Sequence, residues 1–165
     1  MSLSLVPVKM NLLLNSEVNM LDFDYEGKEF PSFKFLVERC KIKELCMAIG
    51  DKNPLFFDKD YAISQGYKDT PVPMTFPTVM NFWGNQDLWS TMQLIGLDTT
   101  RLLHAKEDYQ YLDVIYPGDE LTGTFSVDSM KDVGGMEMVT FKSVFTRDGK
   151  EVLIAKMTVV VVNQE

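Results

Sequence analysis

Few side chains in this sequence have the type and spacing for chemistry, and the densest group is Asp51-Lys52-Asn53-Pro54-Leu55-Phe56. A carboxylate at Asp51 could orient a water. The same position, just after Gly50 and before Asn-Pro, first favours bracing of a loop through side-chain bonds to backbone, and Asn53 reads the same way. His104 is the one histidine; it could act as a base, but it reads first as a strand-end or interface residue. One histidine makes no His-based metal cluster and leaves a serine triad a single candidate base. No Gly-rich phosphate loop is present, so no metal and no cofactor is expected. Asp87 could supply the carboxylate of a thioesterase, although it lies in the polar run Asn85-Gln86-Asp87. Cys40 and Cys46 fit neither a zinc spacing nor a disulfide framework, and both are expected to be small core thiols in a reducing, cytoplasmic compartment.

The elements that position these residues follow from periodicity. Phe33, Phe35 and Val37 alternate, predicting a short strand. Ile42, Leu45, Cys46 and Ile49 fall at helical spacing, with Gly50 where a left-handed cap is expected. Pro54 cannot continue that helix, so 51–58 is a shaped loop. Asp58 or Asp60 caps a short helix through Ala62 that ends near Gly66. Thr70-Pro71-Val72-Pro73 is extended. A long helix is predicted from about Thr75 to Leu94, with Phe76, Val79, Met80, Phe82, Trp83, Leu88, Trp89, Met92 and Leu94 wrapping most of the way round it, so it is expected to be buried. Gly84 in its middle marks a close approach. Phe56, Phe57, Phe76, Phe82, Trp83 and Trp89 read mainly as core, with lining of an apolar tunnel as the alternative. Beyond Leu97 the period becomes two, predicting strands near 104–116, 120–130, 136–147 and 151–163, separated by Pro117-Gly118-Asp119, Gly134-Gly135 and the hairpin dipeptide Asp148-Gly149. The Val159 to Val162 run is expected to be buried on both faces.

The whole composes an α+β domain, a curved antiparallel sheet around a buried helix. At 165 residues, with 45% hydrophobic residues, the chain suits one domain over 1–165, residues 1–20 forming an N-terminal segment with some expression-vector sequence at its start. Sixteen Lys plus Arg against 24 Asp plus Glu give a net charge of -8, the wrong sign for neutralising phosphates, so nucleic acid is not expected as a partner. A local cluster such as Lys41, Lys43 and Lys52 could still meet a pyrophosphate. Lys9 and the apolar stretch around Leu12 to Leu14 make no convincing signal peptide, and no apolar run is long enough to span a membrane.

Ile49-Gly50-Asp51-Lys52-Asn53-Pro54-Leu55-Phe56, with Ala62 and Gly66-Tyr67 after it, resembles the hydratase signature of the MaoC-like enoyl-thioester hydratase/dehydratase family, Gly-Asp-x-Asn-Pro-aliphatic-His. Phe35-x-Val37-Glu38, Ile42 and Ala48 upstream, Pro73-x-Thr75-Phe76, and Pro117-Gly118-Asp119-Glu120-Leu121 extend the likeness over roughly 21–163. The resemblance implies a hot-dog fold that pairs two sheets edge to edge. It also implies addition of water to a trans-2-enoyl thioester, or the reverse, with Asp51 at the catalytic aspartate, Asn53 at the loop asparagine, and Pro73 or Met74 near the oxyanion donor; Phe57 and Phe76 join these as expected substrate contacts. Phe56 stands at the histidine, and a phenyl ring transfers no proton. The chain is therefore similar to the family's histidine-free branch, the N-terminal half of double hot-dog hydratases or the non-catalytic subunit of heterodimeric (3R)-hydroxyacyl dehydratases. The implied partners are an acyl-CoA or acyl-carrier-protein thioester and a second hot-dog subunit, either a copy of this chain or a histidine-bearing one. An acyl-thioester binding protein without turnover, or a hot-dog thioesterase, are the alternatives.

Overall fold

The structure, a computed structural model, describes residues 21–162; the segment before residue 21 lies outside the described residues. One antiparallel sheet of five strands is ordered β1-β3-β4-β5-β2, where β1 is Glu29–Leu36, β2 Leu102–Tyr111, β3 Glu120–Val133, β4 Met136–Arg147 and β5 Lys150–Val162. The helices are α1 (Arg39–Ala48), α2 (Lys59–Ser64), α3 (Pro77–Val79) and α4 (Leu88–Leu94). This is the expected hot-dog architecture of α+β class; β3, β4 and β5 begin and end close to where the period-two pattern put them, whereas β2 stops at Tyr111 rather than near the expected 116.

Turn chemistry fixes the meander. Asp148 and Gly149 have φ of 52° and 78°, the left-handed pair that a two-residue hairpin matched to strand twist demands. Along β3 and β4 every second residue turns inward, burying Leu121, Phe125, Val127, Val139, Phe141 and Phe145. Each such side chain contributes about 1.5–3 kcal/mol by leaving water. Phe125 and Phe141 stack with centroids 4.9 Å apart. On β5 the valine run is not buried on both faces as expected: Val159 and Val161 are buried, Val160 is half-buried and Val162 is exposed. The sheet has helices on one face only, so alternation wins over the run of apolar types.

The helical layer departs from its prediction. The single helix over 75–94 is instead α3, a π-turn at Met80–Gly84, a break at Asn85 (ψ 90°) and then α4. The break has a packing cause. A Cβ on Gly84 would lie 2.9 Å from both Phe33 Cε2 and Phe35 Cδ2, and one on Gly123 only 2.5 Å from Phe33 Cζ. The Phe33 ring thus fills the gap between β1, β3 and the π-turn, and only glycine backbone fits against it. Ser143 of β4 donates to Asn81 Oδ1 at 2.8 Å, both residues buried, which ties the π-turn to the sheet. Because the layer is broken, Phe76, Met80, Leu88 and Met92 are buried while Trp83 (67% exposed), Trp89 and Leu94 face outward, correcting the expectation that all of them are enclosed. Cys46 is buried as expected, and burial first, then Asp51, raises its thiol pKa; Cys40 is exposed, on the outer side of α1. Among the described residues no helix is long and apolar enough to cross a membrane.

Candidate functional site

A cleft of about 560 Å³ opens between three segments: Leu55 and Phe56 on one wall, Pro71, Val72 and Met74 along its base, and Tyr111 to Ile115 opposite. Its lining is mostly apolar. Tyr67, Tyr111 and Asp113 bring the side-chain polar groups.

The Phe56 wall is set by neighbours in sequence. Helix α1 ends with Gly50 at φ 73°; Gly50 N donates to Met47 O and Asp51 N to Cys46 O at 2.8 Å, the paired bonds of a Schellman cap. Asp51 Oδ1 then accepts from Asn53 N at 2.9 Å, and Asn53 Oδ1 from Leu55 N at 3.0 Å. Pro54 opens a 3-10 turn, Pro54–Phe56, and Asp58 Oδ1 caps α2 through Tyr61 N. Phe56 is thereby presented to the cleft, with its ring also packed on the lower core of Phe35, Phe76 and Phe145.

The base is strapped from a distance. Arg39 grips Asp69 with two bonds of 2.7 and 2.9 Å and reaches Thr70 Oγ1 at 2.8 Å; Lys59 adds 3.2 Å. The Arg39 guanidinium, aided by the Thr70 N–H and Lys59, holds the Asp69 carboxyl well below the usual carboxylate range. Val72 N donates to Ile115 O. Pro73 O accepts from Phe76 N, and the Tyr111 hydroxyl donates to Met74 O at 3.2 Å and Pro73 O at 3.4 Å. Among the described residues the Met74 N–H makes no hydrogen bond, so one backbone donor stands free at the cleft margin. Pro73 has none to offer.

The far wall hangs on Arg147, whose Nη2 donates to Asp113 Oδ2 at 2.8 Å while Nη1 donates to Asp119 Oδ2 at 2.6 Å and Val114 O at 3.0 Å. Asp119 also accepts from Tyr116 N. The Val114 N–H, then Arg147 and Lys150, lower the pKa of Asp113. Burial pushes the Tyr111 phenol well above its usual range, as it does for Tyr109, whose hydroxyl meets Thr78 Oγ1 at 2.8 Å. At neutral pH both tyrosines are neutral hydrogen-bonding groups.

Of the residues singled out in the sequence, Phe56 and Met74 line the cleft. Asp51 and Asn53 lie in the loop itself with side-chain oxygens engaged in bracing it, Pro73 contributes its carbonyl to the strap, and Phe57 and Phe76 pack on the lower core, Phe76 fully buried. His104 lies on β2 beside Glu107, and Asp87 borders a separate cleft near Pro31 and Gln86. Lys41 lies over the Trp83 ring and pairs with Glu44. Tyr67, Tyr111, Asp113 and Arg147 were missed; the signal for Tyr111 was its inward parity on a strand, and for Arg147 its place directly before the Asp148-Gly149 turn. No group of three or more His, Cys, Asp or Glu could hold a metal ion among the described residues.

The model for a FAS1-like, dehydratase domain region matches residues 25–155. The chain belongs to this dehydratase-region family. The chain is also 33% identical over 137 residues to a UPF0336 protein of Leifsonia xyli subsp. xyli, covering 82% of this chain and 91% of that one, and 32% identical over 141 residues to one of Thermobifida fusca, covering 84% and 91%. Among solved structures this dehydratase-region chain is similar to a MaoC-like dehydratase (TM-score 0.75, 27% identity), covering 84% of this chain but 42% of that one. It also shares its fold with a chain of the HadBC (3R)-hydroxyacyl-ACP dehydratase complex of Mycobacterium tuberculosis (TM-score 0.72, 21% identity, 83% and 97% covered). The ChsH1-ChsH2 complex of the same organism is a further match in fold (TM-score 0.63, 20% identity, 82% and 97% covered). The MaoC-like hot-dog fold read from the signature around Asp51 and Asn53 is thus the fold of this dehydratase-region chain.

Proposed function

We propose that this chain is the non-catalytic subunit of an (R)-specific enoyl-CoA hydratase or 3-hydroxyacyl-thioester dehydratase, working in the cytoplasm. It completes the acyl-binding tunnel of a partner that carries the Asp/His pair. One observation carries the reading: Phe56 stands on the cleft wall where the family signature has its proton-transferring histidine. A general base must reach the proton it abstracts, and a phenyl ring cannot do this. Asp51 points its Oδ1 at Asn53 N, a use that leaves it holding loop shape. The mostly apolar cleft, with Leu55, Phe56, Val72 and Val114 around it, suits an acyl chain. Two of the structures sharing the fold are named as complexes, HadBC and ChsH1-ChsH2, which supports a two-subunit assembly here.

The test is hydration of crotonyl-CoA, followed by loss of enoyl absorbance. The isolated chain is expected to give no turnover proportional to its concentration, and a histidine-bearing hot-dog subunit co-expressed with it is expected to restore turnover and co-purify. Robust hydration by the isolated chain would overturn the reading. Tight acyl-CoA binding that no partner converts into turnover would instead favour a homodimeric acyl-thioester binding protein, the second reading, to which the same apolar cleft lends support.

A further inference from the structure

The sheet has two outer strands, β1 and β2, and they are built differently. β1 carries Pro31 and a register shift between Phe30 and Phe33, both of which spoil a strand as a template for pairing. β2 also has a register shift, between His104 and Lys106, but runs ten residues without proline and leaves Leu103 59% exposed. On its inward side stand Glu107, Tyr109 and Tyr111. The tyrosine hydroxyls reach Thr78 and Met74. Glu107 has no such outlet: both carboxylate oxygens are buried and neither accepts a well-formed hydrogen bond. His104, brought to the same side by a register shift between His104 and Lys106, holds Nε2 at 2.9 Å from Oε1, an ion-pair distance in an orientation that does not align the N–H. The Glu107 side chain is only 17% exposed.

A buried carboxylate whose charge partner is a single histidine is costly in its charged form. Burial raises the Glu107 pKa; Tyr109 and His104 oppose the rise and Asp108 adds to it. Across the ladder on β5 it faces Met157, which carries no charge. Pairing any further strand onto β2 removes the last solvent from Glu107 and makes its ionised form costlier still. Residues directly opposite in a ladder share a face. A second copy of β2 would therefore bring its own His104, Glu107, Tyr109 and Tyr111 to that face and no lysine or arginine, since Lys106 points the other way, to Asp108. Self-pairing places two such carboxylates on one face and needs protons to proceed.

We infer that Glu107 makes the β2 edge selective: it takes a strand that brings a lysine, arginine or amide side chain to the inward face, and disfavours a second copy of this chain. In naming a different chain as occupant the inference rests on the two-subunit reading above; the bar to self-pairing rests on Glu107 alone.

Sedimentation velocity of the full chain at about pH 5.5 and about pH 8 tests it. Self-association is expected to be about tenfold or more tighter at the acid end, because a group whose pKa rises by one unit on association shifts the equilibrium tenfold per unit. Glu107→Gln should associate near pH 8 as the parent does near pH 5.5, with the pH dependence gone. Glu107→Lys stands in for a partner of the inferred chemistry: mixed in equal amounts with the parent, it should give mixed dimers beyond the statistical proportion in native mass spectrometry. Parent self-association that is the same at both pH values and unchanged by Glu107→Gln would overturn the inference, and so would a statistical mixture. Should Glu107→Lys fail to fold, the Glu107→Gln arm decides. Neither arm uses a thioester or a histidine-bearing subunit, so failure here leaves the proposed function standing, and failure of hydratase reconstitution leaves this result standing.

Discussion

The two walls of the cleft are held by opposite means. On the Phe56 side every fixing bond is local: Asp51 to Asn53 N and Asn53 to Leu55 N span two residues, and the Gly50 cap closes on α1 itself. On the Tyr111 to Ile115 side the fixing group is Arg147, 34 residues from Asp113 and 28 from Asp119. A local wall keeps its shape as long as its own dozen residues do, whereas the far wall depends on partners distant in sequence: Arg147, and the backbone bonds from Leu112 N and Asp113 N to Val152 O and from Val72 N to Ile115 O. The loop that carries the family signature is thus the robust side of the cleft, and the unmarked segment opposite is the fragile one.

Cutting the long-range wall should have the largest effect. Arg147→Ala leaves Asp119, a mostly buried carboxylate, without its cation and frees the Val114 carbonyl, so a loss of about 2–4 kcal/mol is expected in urea unfolding. Arg147→Lys should recover less than half of it, since one ammonium cannot replace a planar fork with two anchored nitrogens. A loss under about 1 kcal/mol would erase the contrast between the walls.

Arg39→Ala should come next, at about 1–2 kcal/mol, because it unties Asp69 and Thr70 from α1. Its partner gives a pH signature. Arg39 holds the folded-state pKa of Asp69 below its unfolded value, so this stabilisation is fully present above the unfolded value, about pH 4, and is lost as pH falls through the folded one. Asp69→Asn should therefore be less stable than the parent at neutral pH and converge on it in strong acid. Parallel stability curves down to about pH 2 would show that the pair contributes nothing.

Local-wall variants should do less. Asn53→Ala removes the bond to Leu55 N and is expected to lower stability by about 0.5–1 kcal/mol, with Asp51→Ala near the lower figure. A larger loss from either, measured by thermal melting, would mean that this loop also carries long-range load.

The smallest effect expected is catalytic gain from Phe56→His. A positioned general base contributes about 100–10000-fold, yet groups that act as a unit do not contribute additively, and Pro73, which the family resemblance puts with Met74 near the oxyanion donor, offers no N–H. Phe56→His alone should hydrate crotonyl-CoA weakly or not at all, and joint replacement with Pro73→Gly should do better. Strong activity from the single variant would point to the free Met74 N–H as a sufficient donor.

What the sequence by itself determined is the local part of this molecule. Alternation wrote β3, β4 and β5, Asp148-Gly149 wrote their hairpin, Gly50 wrote the end of α1, and Asp51, Asn53 and Pro54 wrote the signature loop, because each depends on backbone preferences and bonds within a few residues. Even the absence of a histidine at Phe56 was legible there. Tertiary structure alone decided the rest. The apolar residues of 75–94 could not reveal a π-turn, since the break depends on the Phe33 ring lying across Gly84 and Gly123 from other strands. Nor did any pattern join Arg147 to Asp113 and Asp119, or leave Glu107 buried on a free edge, because bonds between residues tens of positions apart, and burial itself, are properties of the packed sheet.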